Sequence, residues 1–247
     1  MKIKPALKYY LGDYRNVLLV MYACVYVFAI LMIIGTNHFK NSSGGGLEFI
    51  SIITLFVLGL SSFKPYLRLF SVNGISRRTA FGAAVLTLGS ISVIMALIDT
   101  GNTLLFSHFS NYQSLFAQAY YRAELSTFHW TNYTFPMLMQ QFLWSIFACF
   151  WIATVGFFIT VLYYRMNKGL KIAVSVGVPV FLLFVLPALD RNLWNGWLSH
   201  TEQIFFNFVW GYSNGYNPFI GMASMLIFAA ANLSFAWLLA RRASVKE

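Results

Sequence analysis

Positive charges in this chain occur in every second gap between its apolar segments. Fourteen of the 17 lysine and arginine residues lie in four regions: the N-terminus, two alternate gaps and the C-terminus. Cytoplasmic loops of membrane proteins carry such an excess of Lys and Arg, whereas exported loops do not. The pattern therefore predicts a polytopic membrane protein with both termini in the cytoplasm. The cations that give this orientation are Lys2, Lys4, Lys8, Arg15, Lys64, Arg68, Arg77, Arg78, Arg165, Lys168, Lys171, Arg241, Arg242 and Lys246.

Six apolar segments lie between these charged regions. Crossing a hydrocarbon core of about 30 Å takes roughly 20 helical residues. The second segment is short, and the fourth is long enough to be tilted or to extend beyond the membrane. Together they predict an all-α fold and a single transmembrane domain over 1–247. The predicted spans are 17–35, 47–62, 79–98, 137–163, 172–189 and 219–239.

The composition excludes a soluble globular protein. The chain is 59% hydrophobic and 10% charged, and its mean hydropathy is +0.66. A net charge of +10 would favour nucleic-acid binding in a soluble protein. Here the cations flank apolar segments, where anionic headgroups attract them, so membrane lipids and not nucleic acid are the predicted partners. Cys24 and Cys149 fall inside apolar segments and predict free thiols.

Residues 3–15 have the pattern of a helix that lies in the inner membrane interface. Apolar side chains recur at spacings of three and four, which places them on one helix face. Basic side chains border this face, where their stems can follow the membrane surface while the charge stays in water. Pro5 is compatible only with the first turn. The apolar face consists of Ile3, Leu7, Tyr10, Leu11 and Tyr14, and the bordering cations are Lys4, Lys8 and Arg15.

Two long outer loops, 99–136 and 190–218, are rich in aromatic residues. Amphipathic rings at this density suit the headgroup layer, so short interfacial or re-entrant helices are predicted there. An aromatic belt explains these rings by itself, and an outer gate or exit surface for an amphipathic substrate is the alternative. The charge pattern places Glu48 and Asp99 on or near the same outer side.

Catalytic, nucleotide-binding and metal-binding motifs are missing from the sequence. The triplet Gly44-Gly45-Gly46 lacks the lysine of a phosphate-binding loop and lies on the predicted outer side. No Cys/His cluster has the spacing of a metal site, so no bound cofactor is predicted. No pair of carboxylates is predicted within the membrane. Charged residues are scarce within the predicted spans. Because ion-coupled transporters keep ionisable groups at membrane depth, their scarcity argues against ion-coupled transport.

Large aromatic side chains and a few amides occur within the predicted spans. Most such aromatics contribute to packing between helices. The same residues would also suit a path for a hydrophobic or amphipathic cargo. The candidate path residues are Tyr22, Tyr26, Phe56, Gln140, Gln141 and Trp144.

The loop between the second and third segments has the most distinctive local sequence. Asn73-Gly74 forms turns readily, and Ser76 is a favourable N-cap for the helix that follows. Arg77 and Arg78 then occupy the first helical turn, where each positive charge opposes the helix dipole by about 0.3–1 kcal/mol. Membrane topology accounts for these cations, and so does a docking surface for a cytoplasmic partner. A docking surface also accounts for the short amphipathic stretch that precedes the turn.

The chain resembles the permease subunits of ABC-2 type exporters. The resemblance rests on the six-span architecture, the basic N-terminal helix and the sequence 70–81, which ends in Asn-Gly-Ile-Ser-Arg-Arg-Thr-Ala-Phe. In such families this inner loop is a coupling helix that sits in a cleft of a separate ATPase subunit. The resemblance implies a coupling element at 65–76 and an ATPase contact formed by Pro65, Tyr66, Leu67, Arg68, Phe70, Asn73, Gly74, Ser76, Arg77 and Arg78.

The same resemblance implies further partners. Arg165, Lys168 and Lys171 would form a second cytoplasmic contact. ATP and Mg²⁺ would bind in the partner ATPase, and a second copy of the chain or a paralogous permease would complete the path. Small members of this family with aromatic-rich outer loops include the membrane subunits of exporters of amphipathic peptides such as phenol-soluble modulins, which this chain also resembles.

The sequence therefore predicts a non-enzymatic membrane subunit of an ATP-driven exporter in a bacterial cell membrane. The expected cargo is hydrophobic or amphipathic, and a peptide fits this description. The alternative is a six-span capture subunit of a vitamin or small-molecule importer, which would have a closed polar pocket on its outer side. An intramembrane hydrolase or transferase would need polar groups clustered at one depth, and the sequence does not display such a cluster.

Overall fold

The computed structural model describes residues 3–38, 44–63, 74–121, 133–194 and 196–241. These residues form a helical bundle with one very short sheet, so the predicted all-α class is confirmed. Within them, five helices are long and apolar enough to cross a membrane. The candidate crossings are Lys8–Thr36, Arg77–Phe109, Phe135–Arg165, Lys168–Asn192 and Pro218–Ala240.

The helices differ widely in length, from one and a half turns to ten turns. A π-helical turn, Phe181–Val185, joins two of them, and a 3₁₀ turn, Tyr212–Asn214, precedes the last. The two strands are β1 (Gly44–Gly45) and β2 (Tyr112–Gln113). In chain order the helices are α1 (Ile3–His38), α2 (Glu48–Ser61), α3 (Arg77–Phe109), α4 (Leu115–Tyr120), α5 (Phe135–Arg165), α6 (Lys168–Val180), α7 (Leu186–Leu193), α8 (Trp197–Val209) and α9 (Pro218–Ala240).

Polar side chains just before the helices fix several of their starting points. The hydroxyl of Ser76 accepts a hydrogen bond from the Thr79 amide at 3.2 Å, which confirms the predicted N-cap of α3. Asn217 caps α9 in the same way, and Pro218 occupies its first position. Each cap satisfies a backbone N–H that the helix itself leaves unbonded.

The structure joins the predicted interfacial helix 3–15 to the first predicted span. Its location in the membrane interface stays a prediction. Helix α1 runs without a break from Ile3 to His38, so this segment and the first predicted span are one element. Pro5 lies in the first turn, where its missing N–H is tolerated. Gly12 costs a helix about 1 kcal/mol, which is too little to end it between long runs of good helix formers.

Two predicted spans differ in length from the helices that contain them. Helix α2 has 14 residues, roughly 21 Å, and is shorter than a hydrocarbon core of about 30 Å. Helix α3 has 33 residues and continues to Phe109, well beyond the predicted end at 98. The polar residues that follow 98 lie on its buried face, where they bond to other helices, so they do not end it.

Two further helices fall within the predicted aromatic outer loops. The six-residue helix α4 lies in the first loop, and α8 lies in the second with Phe205 and Phe206 exposed. Helix α6 has no buried residue and contains Pro179, after which the π-helical turn begins. A proline in a helix removes one backbone hydrogen bond, and a wider turn can absorb the change.

Helix α5 lies at the centre of the bundle, where it contacts α2, α3 and α9. Its closest approach is to α2. A Cβ at Gly59 would collide with the Ala153 carbonyl of α5, and a Cβ at Gly156 would collide with the Phe56 carbonyl of α2. Small residues that let two helix backbones approach in this way are typical of packing between membrane helices. The two glycines therefore set the distance between α2 and α5.

We expect Gly156→Ala to lower the melting temperature of the purified protein in detergent. The added methyl group must displace the α2 backbone, which corresponds to a loss of about 1–3 kcal/mol of unfolding free energy. Gly82→Ala in α3 is the matched control, because a Cβ there has no atom within 4 Å. The control should melt at or above the parent temperature, and an equal loss in both variants would contradict the role of the α2–α5 contact.

Candidate functional site

The predicted inner end of the bundle is where the predicted coupling loop leaves and rejoins the helices. Arg77, in the first turn of α3, donates from Nη1 to the carbonyl oxygen of Arg241 at 3.1 Å. Arg241 is the C-cap of α9. This bond ties the start of the third predicted span to the end of the last one, and it gives Arg77 a structural partner that topology alone did not predict.

The other end of the same loop is tied to α1. The Tyr10 hydroxyl donates to the carbonyl oxygen of Ser62 at 3.2 Å, and the Tyr14 hydroxyl lies 2.8 Å from the Ser62 hydroxyl. Tyr10 and Tyr14 are both buried. Tyr10, Phe63 and Arg77 also line one small cavity, so the two ends of the loop meet at the same place.

The predicted ATPase contacts lie partly within the described residues. Gly74 adopts a left-handed conformation with φ of 65°, which agrees with the predicted turn, and Ser76 and Arg78 are exposed. Arg165 and Lys168, at the junction of α5 and α6, are exposed as well, and Lys171 is half-buried. Pro65, Tyr66, Leu67, Arg68, Phe70 and Asn73 lie outside the described residues.

Three of the predicted path residues lie outside the polar cluster described below. The backbone carbonyl of Phe56 lies at the close contact with Gly156 of α5. The side-chain oxygen of Gln140 accepts a hydrogen bond from the Tyr121 hydroxyl at 3.0 Å. Trp144 is buried in an aromatic group against which Tyr121 also packs. That group includes Phe116, Tyr120, Met137, Trp144, Met222 and Met225.

The other predicted path residues meet at a buried polar cluster in the half of the bundle that is predicted to be the outer one. Tyr22 of α1 donates to Asp99 Oδ1 at 3.2 Å, and Ser51 of α2 donates to the same oxygen at 3.0 Å. Asp99 is only 4% exposed. Tyr26 lies beside this cluster, where it donates to Asn102 Oδ1 at 3.1 Å.

Glu48, the first residue of α2, forms the second half of the cluster. Its Oε2 accepts from the Tyr112 hydroxyl at 2.8 Å and from the Leu115 amide at 3.3 Å. Its Oε1 lies 3.1 Å from the Thr103 hydroxyl. Glu48 is 7% exposed, and it connects α2 with α3, β2 and the start of α4.

The short sheet brings Tyr112 to this position. β1 and β2 pair in parallel, with Gly44 opposite Tyr112 and Gly45 opposite Gln113. A Cβ on Gly45 would collide with the Gln113 carbonyl, so glycine is required for this pairing. Burial raises the pKa of the Tyr112 phenol above its usual range and the adjacent Glu48 carboxyl raises it further, which keeps Tyr112 protonated as a donor.

Gln141 of α5 completes the cluster. Its Nε2 donates to the Thr103 hydroxyl at 2.7 Å, and the residue is 1% exposed. Its Oε1 is buried and has no hydrogen-bond partner among the described residues. A buried amide oxygen without a donor costs about 1–3 kcal/mol, so this acceptor is open for an entering donor.

In the predicted orientation, the buried cluster lies near the outer boundary of the membrane. Asp99 follows Arg77 by 22 residues, roughly 33 Å along the helix axis. With Arg77 at the predicted inner boundary, this distance about equals the thickness of the hydrocarbon core. The sequence predicts Glu48 and Asp99 on the outer side but does not predict that they share a site, and in the structure Thr103 bonds both to the Glu48 carboxyl and to the Asp99 carbonyl oxygen. The sequence places the two residues about 50 positions apart, and only packing brings them together.

Sequence reasoning therefore missed Glu48, Ser51, Asp99, Thr103 and Tyr112 as members of one site. A usable signal was the continuation of the buried stripe of α3 beyond the predicted end of the span. Polar residues follow 98 on the same helix face as the apolar ones before it, at spacings of three and four. That stripe consists of Ile91, Ser92, Met95, Asp99, Asn102, Thr103 and Phe106.

Comparisons with protein-family models, curated proteins and solved structures find no match to this chain. The polar cluster and the loop attachments at the inner end are accordingly the observations from which function is inferred. The cluster contains carboxyl, hydroxyl and amide groups, and its described members include no histidine that could activate a nucleophile.

We expect Ser51→Ala to lower the unfolding free energy by about 1–3 kcal/mol, because it removes a donor from the buried Asp99 carboxyl. Ser90→Ala is the control, since the Ser90 hydroxyl bonds to the Leu86 carbonyl within its own helix. Thermal melting in detergent measures both changes. Equal effects of the two substitutions would show that the bond to Asp99 contributes nothing specific.

Proposed function

We propose that this chain is the membrane-spanning subunit of an ATP-driven exporter of the ABC-2 type. A separate ATPase subunit would supply the energy, and the chain would receive it through the inner loop 65–76. A second copy or a paralogous permease would complete the path. The proposal extends the resemblance of the sequence 70–81 to that family.

The attachment of the inner loop at both of its ends supports this proposal most directly. On one side Ser62 is bonded to Tyr10 and Tyr14 of α1, and on the other Arg77 is bonded to Arg241, the C-cap of α9. A displacement of the loop by a partner would therefore act on α1 and α9 as well as on α2 and α3. A loop that merely connected two spans would not need such bonds.

The exposed cations around the loop support a cytoplasmic partner. Arg78 in the first turn of α3 and Arg165 at the end of α5 are exposed, and the charge pattern places both on the cytoplasmic side. The positive charge of Arg78 opposes the dipole of α3 and destabilises the helix by about 0.3–1 kcal/mol. An acidic surface on a partner would offset that cost.

An apolar cavity supports a hydrophobic or amphipathic cargo. The cavity lies between α5, α8 and α9 and has a volume of about 290 Å³. Asn232 is a polar residue among its aromatic walls, which suits a ligand with one polar group in an apolar body. The aromatic residues that line it are Trp151, Phe205, Phe206, Trp210 and Phe228.

The first test is recovery of an ATPase from native membranes with the tagged chain as bait. The parent chain should retain ATPase activity through purification, and a variant with Leu67→Ala, Phe70→Ala and Arg78→Glu should lose it. Arg191→Glu is the matched control, because Arg191 is an exposed arginine in α7 on the predicted outer side.

Loss of ATPase with the loop variant alone would agree with coupling through 65–76. Loss with both arginine variants would indicate a nonspecific charge effect. No ATPase with the parent chain would overturn the proposal, and a small molecule found in the purified protein by mass spectrometry would favour a capture subunit in its place.

A further inference from the structure

Among the described residues, the Glu48–Asp99 cluster contains two carboxyl groups and no positive charge. The partners of both groups there are hydroxyls and backbone amides. Two ionised carboxylates buried together without a cation would be strongly unfavourable, because nothing offsets the cost of removing them from water or the repulsion between their like charges. A site of this composition is therefore expected to bind a proton or another cation.

The hydrogen bonds of Thr103 show where a proton fits. The Thr103 hydroxyl has a single hydrogen, and two acceptors lie within reach: Glu48 Oε1 at 3.1 Å and the Asp99 carbonyl oxygen at 3.0 Å. Gln141 Nε2 donates to the same hydroxyl. One hydrogen cannot serve both acceptors fully, and a proton on Glu48 Oε1 resolves the conflict.

With that proton in place, each of these contacts has one donor and one acceptor. Glu48 Oε1 donates to Thr103, and Thr103 donates to the Asp99 carbonyl. Glu48 Oε2 remains an acceptor for the Tyr112 hydroxyl and the Leu115 amide. The two oxygens of Glu48 thus have the unlike surroundings of a carboxylic acid, in which one oxygen carries hydrogen and the other does not.

We propose that Glu48 is a proton-binding site, which holds one proton on Oε1 at neutral pH. The unpartnered Gln141 Oε1 gives an entering water or hydronium ion an acceptor beside the cluster. The outer aqueous phase is the nearer one, given the position of Asp99 along α3. This inference concerns the cluster alone and does not depend on an ATPase partner.

Other titratable groups around Glu48 do not compete for this proton. Tyr22 faces the cluster from α1, Tyr112 from β2, Tyr133 from the residues before α5, and Cys149 from α5. Phenols and thiols ordinarily ionise well above neutral pH, so all four are neutral there. Asp99 is then the other carboxyl group of the cluster.

Infrared difference spectroscopy of the purified protein tests this site, because a protonated carboxyl has a carbonyl stretch separate from that of a carboxylate. The parent protein in lipid nanodiscs should show this band at neutral pH and lose it as the pH is raised. Glu48→Gln should abolish the band, since the amide has the shape of the acid but no titratable proton. Glu202→Gln is the control, because Glu202 is an exposed carboxyl on α8.

The result that supports the site is a band present in the parent and in Glu202→Gln and absent from Glu48→Gln. Absence of the band from the parent would overturn the proposal. Its persistence in Glu48→Gln would assign the proton to another group and would equally overturn it.

A second measurement uses the parent chain alone, which covers the case in which Glu48→Gln does not fold. A hydrophobic carbodiimide adds to protonated, buried carboxyl groups, and peptide mass spectrometry locates the adduct. Modification of Glu48 that decreases with rising pH is the expected result. Modification of Asp99 in its place, or no pH-dependent modification of Glu48, would refute the assignment.

Discussion

The close approach of α2 to α5 is the contact on which both functional regions depend. Helix α2 is too short to span a bilayer by itself, and its position is set by the glycine contacts at Gly59 and Gly156. Its first residue, Glu48, lies in the buried polar cluster, and the residue after its end, Ser62, is bonded to α1. A shift of α2 along α5 would therefore move the outer cluster and the inner loop together.

This arrangement gives the proposed exporter a physical connection between its two sides. A partner acting on the inner loop would pull on Ser62 at one end of α2, about 21 Å from Glu48 at the other. The hydrogen bonds of Glu48 to Thr103 and Tyr112 would either hold α2 in place or transmit its movement to α3 and β2. A proton on Glu48 removes a negative charge from the cluster. The pH on the predicted outer side would therefore change the strength of the bonds that attach α2 to α3 and β2. Because the two regions lie at opposite ends of α2, the helix itself connects them and no further chain of residues is needed.

Much of the fold could be predicted from local sequence, whereas most of the site could not. The N-cap at Ser76 and the turn at Gly74 depend on neighbouring residues in the chain, and both predictions are confirmed. The continuity of α1 was not predicted, because an amphipathic pattern does not reveal whether a helix continues into the next segment. Tyr22 and Gln141 were selected because they are polar or aromatic residues within the predicted spans. That both belong to one buried polar cluster was not predicted. The coupling role of 65–76 and of Arg77 and Arg78 remains a prediction.

The sequence by itself determined the helical, multi-span class and the predicted orientation. Hydropathy and charge are properties of single residues. The apolar segments and the charged gaps between them can therefore be identified without knowing which helices contact each other. Only the tertiary structure decided that Glu48, Asp99 and Gln141 share one buried cluster and that Gly45 must be a glycine. Those facts depend on contacts between residues about 40 to 70 positions apart, which packing of the helices creates and local pattern does not encode.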